Sequence, residues 1–308
     1  VLLTPLRIAN APVNFGVYRP ADLRADAGDL LAGLAGAGYA GLDAGPPGLF
    51  PPALLKRHGL LLAGGWIDLD ADLDRDDHGR SALDAALDAF AALPADDPRF
   101  APRPTLGPPP DPPRFARPGT PAVPPAGDWP RLRERVRRAA ARCRARGLEP
   151  VLHHHLGTGI ETEAEIDRAL EETDVSLCLD TGHLLLAGGD PVAALRKYAG
   201  RVRQIHVKDA SRDACARVRA SGGDLWAAIR APVFPRLGEG DLDLAAFAAA
   251  LRGSGYTGWL VVEQDAVAPD PSAALADQRH NLARLGAALA AASAVRPAPA
   301  DLATGEDR

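Results

Sequence analysis

The sequence predicts an α/β protein, a single closed (β/α)8 TIM barrel, on three observations. Short apolar runs alternate with stretches of helical periodicity through most of the 308 residues, the order that builds parallel sheets. Eight such runs can be counted along the chain, and eight parallel strands close on themselves. Charged and imidazole side chains recur at the carboxyl ends of the later runs, which is where parallel α/β folds bind ligands. One barrel accommodates this length without a second domain. The domain is placed at residues 1–292, with a Pro-rich loop at 94–130 inserted around the fourth strand and a disordered tail at 293–308.

Residues 6–15 (LRIANAPVNF) read as the first strand entering a Gly-containing turn. Leu23, Leu30, Leu31 and Leu34 then stand at helical spacing over 21–37, and Gly38 ends that helix. A second strand over 39–44 carries Asp43 near its end, a Gly-Pro-Pro-Gly turn follows, and a short helix over 52–58 leads to a third strand over 60–67 with Trp66 and Asp68 at its end. A further helix fits 81–93. From Pro94 to Pro130 prolines recur every few residues; each removes a backbone donor and disfavours helix at the residue before it. Little helix is expected there, with only a short edge-like strand near 99–103. The stretch reads either as a stiff solvated loop or as a lid beside the mouth of the site, so that deleting 106–126 should alter KM more than stability. A helix over 129–146 has a strongly basic, solvated face.

The second half carries the chemistry. The strand Val151-Leu152 runs into His153, His154 and His155; a helix covers 161–172; the strand over 175–179 ends at Asp180, with His183 three residues on. Pro191 opens a helix to Tyr198, where its missing N–H costs nothing. The strand over 202–207 ends in His206, Lys208 and Asp209; residues 211–230 look helical; LGEGDLD is a Gly-bearing loop, followed by a helix over 244–252. The last strand, 259–262, ends in Glu263, Gln264 and Asp265, and a closing helix spans 272–291.

Side chains alternate faces along a strand, so parity decides which residues meet inside a barrel. His153 pairs in parity with His155, Cys178 with Asp180, Gln204 and His206 with Lys208, and Glu263 with Asp265. His153, Asp180, His206 and Glu263 can thus converge on one divalent cation. Carboxylates with imidazoles suit Mn2+ or Co2+, with Zn2+ or Mg2+ as alternatives. Alone, each residue has an ordinary reading as a helix cap, a hydrogen-bonded histidine or a surface acid; their common depth on four strands favours the metal. His154, of opposite parity, should face the outer layer. Asn14, Trp66 and Glu239 are the candidate substrate contacts. The GxG at 157–159 reads as a strand-to-helix turn rather than a phosphate loop.

A net charge of −5 provides no basic field for a nucleic acid. Three cysteines without a CxxC pair suggest reduced thiols in a cytoplasm, Cys178 in the core. No apolar run approaches the roughly 20 residues of a membrane span, and no export signal is evident. The expected partner is a small polyol or sugar, with no nucleic acid or membrane, and a homo-oligomer is compatible with the composition.

In order, LHHHLGTGIET, CLDTGHLLLAGGDP, QIHVKD, FPRLGEGDLDL and GYTGWLVVEQD resemble the xylose isomerase-like barrel superfamily of sugar phosphate isomerases and epimerases, and within it the inosose dehydratase branch. The resemblance covers 149–266 well, the first strand moderately and the Pro-rich stretch hardly at all. It implies a divalent metal at Asp180, His206 and Glu263, with His153 standing where the family has its first-ligand Glu and Glu161 as a distant substitute. It also implies that His183 and His155 contact substrate. A cation on a substrate carbonyl and its neighbouring hydroxyl would stabilise the enediolate left by deprotonation, an intermediate shared by isomerases, epimerases and dehydratases. A further proton donor, Lys208 or His183, points toward elimination; Lys208 otherwise forms an ion pair with Asp209. The expected function is a metal-dependent lyase or isomerase acting on a keto-polyol or ketose, with an isomerase or epimerase, or a non-catalytic polyol-binding barrel, as alternatives. An endonuclease on this barrel would need more ligands and a basic groove.

Overall fold

Eight parallel strands close into a barrel in chain order: β1 (Leu6–Ala11), β2 (Gly41–Asp43), β3 (Leu61–Asp68), β4 (Arg103–Gly107), β5 (Val151–His153), β6 (Ser176–Asp180), β7 (Val202–Val207) and β8 (Gly258–Glu263), with β8 returning to pair with β1. The computed structural model describes residues 6–16, 26–45, 48–69, 82–93, 95–121, 124–125 and 127–294. The start of the first expected helix (21–25), Pro46 and Pro47 of the turn, and the tail beyond 294 lie outside these residues. Among the described residues, no helix is long and apolar enough to cross a membrane.

The helices are α1 (Ala27–Ala37), α2 (Pro52–Arg57), α3 (Ala82–Ala91), α4 (Pro112–Phe115), α5 (Trp129–Ala145), α6 (Glu163–Glu172), α7 (Thr181–Leu186), α8 (Pro191–Lys197), α9 (Arg212–Ala220), α10 (Leu225–Arg230), α11 (Leu244–Ser254) and α12 (Pro271–Ala294). Their boundaries follow local chemistry. Asp26, Asp128, Asp190, Ser211, Asp224 and Asp243 each cap a helix start by accepting a backbone N–H. Thr162 and Glu165 form a capping box on α6. The expected helix over 211–230 is two, broken where Gly222 takes φ +76. Between the strands and helices, Leu31, Leu42, Leu152, Ile166, Leu177, Ile205 and Leu260 form one buried layer. Inside the barrel, Trp259 packs edge-on against Phe100 and donates from Nε1 to the Phe100 carbonyl at 3.0 Å. With Ala9, Ala63 and Val261 these rings form an apolar plug, which leaves the polar residues of the same parity for the carboxyl end.

The Pro-rich stretch departs most from expectation. Its strand is Arg103–Gly107 rather than 99–103, and it is a full stave paired with β3 and β5, not an edge. The chain then starts α4 with prolines in its first turn. Arg114 is buried and holds Glu165 through two hydrogen bonds of 2.5 and 2.8 Å, and it also donates to the Thr158 carbonyl. This part is packed onto the β5–α6 connection through Arg114, and Phe115 beside it lines the cavity described below. Deleting 106–126 would remove the end of a stave, this ion pair and Phe115, so stability should fall as well as KM rise.

The Gly-bearing loop is held from below by Asp209. This buried carboxylate accepts the N–H groups of Ala210 (2.9 Å), Gly238 (2.8 Å), Gly240 (3.1 Å) and Leu242 (3.0 Å), and so it is not the ion-pair partner of Lys208. Asp209→Ala should cost about 2–3 kcal/mol in denaturant unfolding, since several buried donors lose a charged acceptor at once. An unchanged unfolding midpoint would show that the loop holds itself.

Candidate active site

Strand register brings the site residues together. Asp180 on β6 lies opposite His206 on β7, and His153 on β5 lies opposite Cys178. His206 Nδ1 is 2.6 Å from Glu263 Oε2 and 3.2 Å from His153 Nε2. Asp180 Oδ2 stands 3.6 Å from His153 Nε2 and 4.0 Å from His206 Nδ1. The four residues thus offer ligand atoms that all lie within 4.8 Å of one another. Donors about 2.0–2.2 Å from a zinc-like ion lie some 3–4 Å apart, so the set has the right size for one. Asp180 Oδ2, which faces His153 Nε2 and His206 Nδ1, is buried and without a hydrogen bond. Two carboxylates and two imidazoles at this spacing fit a divalent transition metal. Glu161 is not among them; it accepts the Gly157 N–H at 2.9 Å, and burial pushes its carboxyl up to about 7.

A second group stands beside the first. Ligand atoms of His155, His183 and Asp265 also lie within 4.8 Å of one another, and the His155 and His183 rings are 3.8 Å apart. The fully buried Lys208 joins the two groups: its Nζ lies 2.7 Å from Asp265 Oδ2, 2.9 Å from His183 Nε2, 3.2 Å from Asp180 Oδ2 and 3.3 Å from Glu263 Oε2. Burial opposes its charge, but Asp180, Asp265 and Glu263 outweigh it and keep Lys208 protonated. Burial likewise opposes ionisation of Asp180, and the Lys208 ammonium holds its carboxyl well below the usual range. Asp265 is held down the same way by Lys208.

Burial pushes the imidazoles of His155 (to about 4) and His183 (well below the usual value) down, so both are neutral near pH 7. Their hydrogen bonds then assign the tautomers. His155 Nδ1 faces the Leu156 carbonyl at 2.7 Å, which can only accept, so Nδ1 carries the proton and Nε2 keeps its lone pair. His183 Nε2 accepts from the Lys208 ammonium, so its proton is on Nδ1. His154 faces out of the lumen and accepts the Asp180 backbone N–H at 3.1 Å on Nε2.

A cavity of about 240 Å3 opens above both groups. His153, His155, His206, Glu263 and Asp265 contribute polar atoms to its wall, and Trp66, Phe115, Trp226 and Ile229 contribute apolar surface. Trp66 stands edge-on to His153 and His155, each 5.6 Å away between ring centroids. It can do so because β4 offers Gly107, where a Cβ would come within 1.9 Å of the indole.

Other expected residues fall elsewhere. His183 and Lys208 are wholly buried and form no part of the cavity wall, His183 lying behind His155; direct contact of His183 with substrate is therefore not what the geometry provides. Asn14 sits in a 3-10 turn after β1 and donates to the Ala274 carbonyl at 3.1 Å, so it anchors α12 instead of facing substrate. Glu239 is exposed and held by Arg236 at 2.5 Å, away from the cavity. Glu239→Ala should leave kcat and KM within about twofold, the scale of a surface change; a larger loss would place the loop over the substrate. Two carboxylates were passed over: Asp265, which shares Glu263's parity, and Asp43 at the end of β2, whose Oδ2 is 3.6 Å from His206 Nε2.

A family model described as the xylose isomerase-like TIM barrel matches residues 53–285. The chain belongs to this family. It is 40% identical over 141 residues to the inosose dehydratase of Geobacillus thermodenitrificans (strain NG80-2), an alignment covering 45% of this chain and 47% of that protein. The chain spans about half the length of the curated relatives it matches. Its fold is also like that of the IolI protein solved with a zinc atom (TM-score 0.63, 12% identity, 94% of this chain and 100% of the other). An L-ribulose 3-epimerase gives a TM-score of 0.61 at 20% identity, covering 94% and 96%.

Proposed function

We propose that this chain is a divalent-metal-dependent lyase that removes water from a keto-polyol of the inosose class. The observation that carries the reading is His155, neutral and with Nδ1 committed to the Leu156 carbonyl, lining one cavity with Glu263 beside the four-donor cluster. The 40% identity to an inosose dehydratase supports the substrate class, and the zinc-bearing IolI protein supports the metal. The donor set suits Mn2+, Co2+ or Zn2+ better than Mg2+.

Held by His153, Asp180, His206 and Glu263, the ion would supply a Lewis-acid charge for the oxygens of the substrate. His155 Nε2 takes the proton from the carbon next to the carbonyl. The imidazolium so formed has the ionised Asp265 within 4.8 Å, and Lys208 fixes that carboxylate. His155 then returns the proton to the departing β-hydroxyl, so water leaves and the enzyme ends as it began. Trp66 keeps the imidazole aimed and water away from one side. Lys208 and His183 thus act through Asp265 and His155, as positioning groups. Isomerisation or epimerisation of a ketose is the second reading, favoured by Glu263 standing in the same wall as another proton acceptor: Glu263 would take the C–H proton in place of His155 and return it to carbon instead of to the departing hydroxyl.

Stripped protein reloaded with Mn2+, Co2+ or Zn2+ and incubated with keto-inositols and ketoses in D2O separates these readings by NMR. Dehydration of a keto-inositol that stops with a chelator is expected. Deuterium incorporation without loss of water would assign the isomerase or epimerase, and neither event would leave a binding barrel.

A further inference from the structure

We propose that Lys208 is a built-in cation that occupies a second metal site, so that this barrel holds one divalent ion and not two. The inference rests on the metal reading above. His155, His183 and Asp265 offer two imidazoles and a carboxylate within 4.8 Å of one another, a set fit for a transition metal in its own right. Its Asp265 Oδ2 and His183 Nε2 lie 3.2 Å apart, and both point at the Lys208 ammonium, 2.7 and 2.9 Å away. An ion bound to those two atoms would sit about 2.0–2.2 Å from each, in space that the ammonium takes.

The lysine is built in rather than incidental. It is wholly buried, with Phe234 5.6 Å from Nζ. Its stem runs over Gly182, where a Cβ would lie 2.7 Å from Lys208 Cγ. Thr181 Oγ1 accepts its backbone N–H at 2.9 Å and donates to its carbonyl at 2.7 Å. His183 Nδ1, on the far side of the ring, is buried without a partner. Charge agrees: Asp180, Glu263 and Asp265 all lie within 3.3 Å of Nζ, so three carboxylates surround the ammonium. Buried charges persist where they are matched.

The test is the metal-to-protein ratio of the full chain after loading with excess Zn2+ and desalting, measured by plasma mass spectrometry. Wild type is expected at one, Lys208→Ala at two, and Lys208→Ala combined with Asp265→Asn at one again. If Lys208→Ala does not fold, Gly182→Ala, which displaces the stem, is expected to exceed one. A ratio of one in the folded single variant, or of two in wild type, overturns the proposal while leaving the metal reading intact. A wild type that binds none overturns the metal reading and this inference with it.

Discussion

Asp180→Asn is expected to strip the metal and lower turnover by about 10³-fold or more, while the fold survives. Asp180 has two duties on two oxygens. Oδ1 caps α7 by accepting the His183 N–H at 2.8 Å, and the buried Oδ2 faces His153 and His206 with the Lys208 ammonium 3.2 Å away. Asn caps a helix as well as Asp does, so the substitution leaves the first duty and removes the charge needed for the second. A Lewis acid contributes several kcal/mol to stabilising developing charge, and each 1.36 kcal/mol is a factor of ten. Metal content and thermal midpoint are measured together with turnover. Full metal content in the variant would mean that the ion sits elsewhere, whereas loss of the fold would mean that the cap matters more than the cluster.

The convergence of Asp180, His206 and Glu263 was legible in the sequence because parity is a local property: each ends a strand, and alternation alone puts them in one lumen. Lys208 was placed at the wall by the same parity and His183 by the family resemblance, and both lie wholly buried outside the cavity lining. Gly182 leaves room for the Lys208 stem to fold back beneath the wall, and α7 begins at once after Asp180, which turns His183 behind His155. Neither event has a periodic signal. Asn14 was lost because β1 ends at Ala11 and a 3-10 turn over Pro12–Asn14 redirects it. Proline density hid β4, although Pro104 sits within that stave. Asp265 was readable, two residues beyond Glu263 and on the same face, but its importance lies in its contacts with Lys208 and His183 across the barrel.

His155→Gln is expected to lower kcat by about 10³-fold, within the 10²–10⁴ range for losing a general acid or base, and to leave the metal-to-protein ratio unchanged. His155 lines the cavity but is outside the four-donor cluster, and its Nδ1 is committed to the Leu156 carbonyl. Gln can keep a hydrogen bond but cannot take up and return a proton at Nε2's position. KM should change less than kcat, since the apolar wall formed by Trp66, Phe115 and Trp226 remains. Deuterium exchange at the carbon next to the carbonyl tells which proton His155 handles. If it takes the C–H proton and then passes it to the leaving hydroxyl, exchange and dehydration fall together. Exchange that persists while dehydration is lost would make Glu263 the base and leave His155 only the second transfer. A variant that keeps both would remove His155 from the chemistry and return it to a structural role beside Trp66.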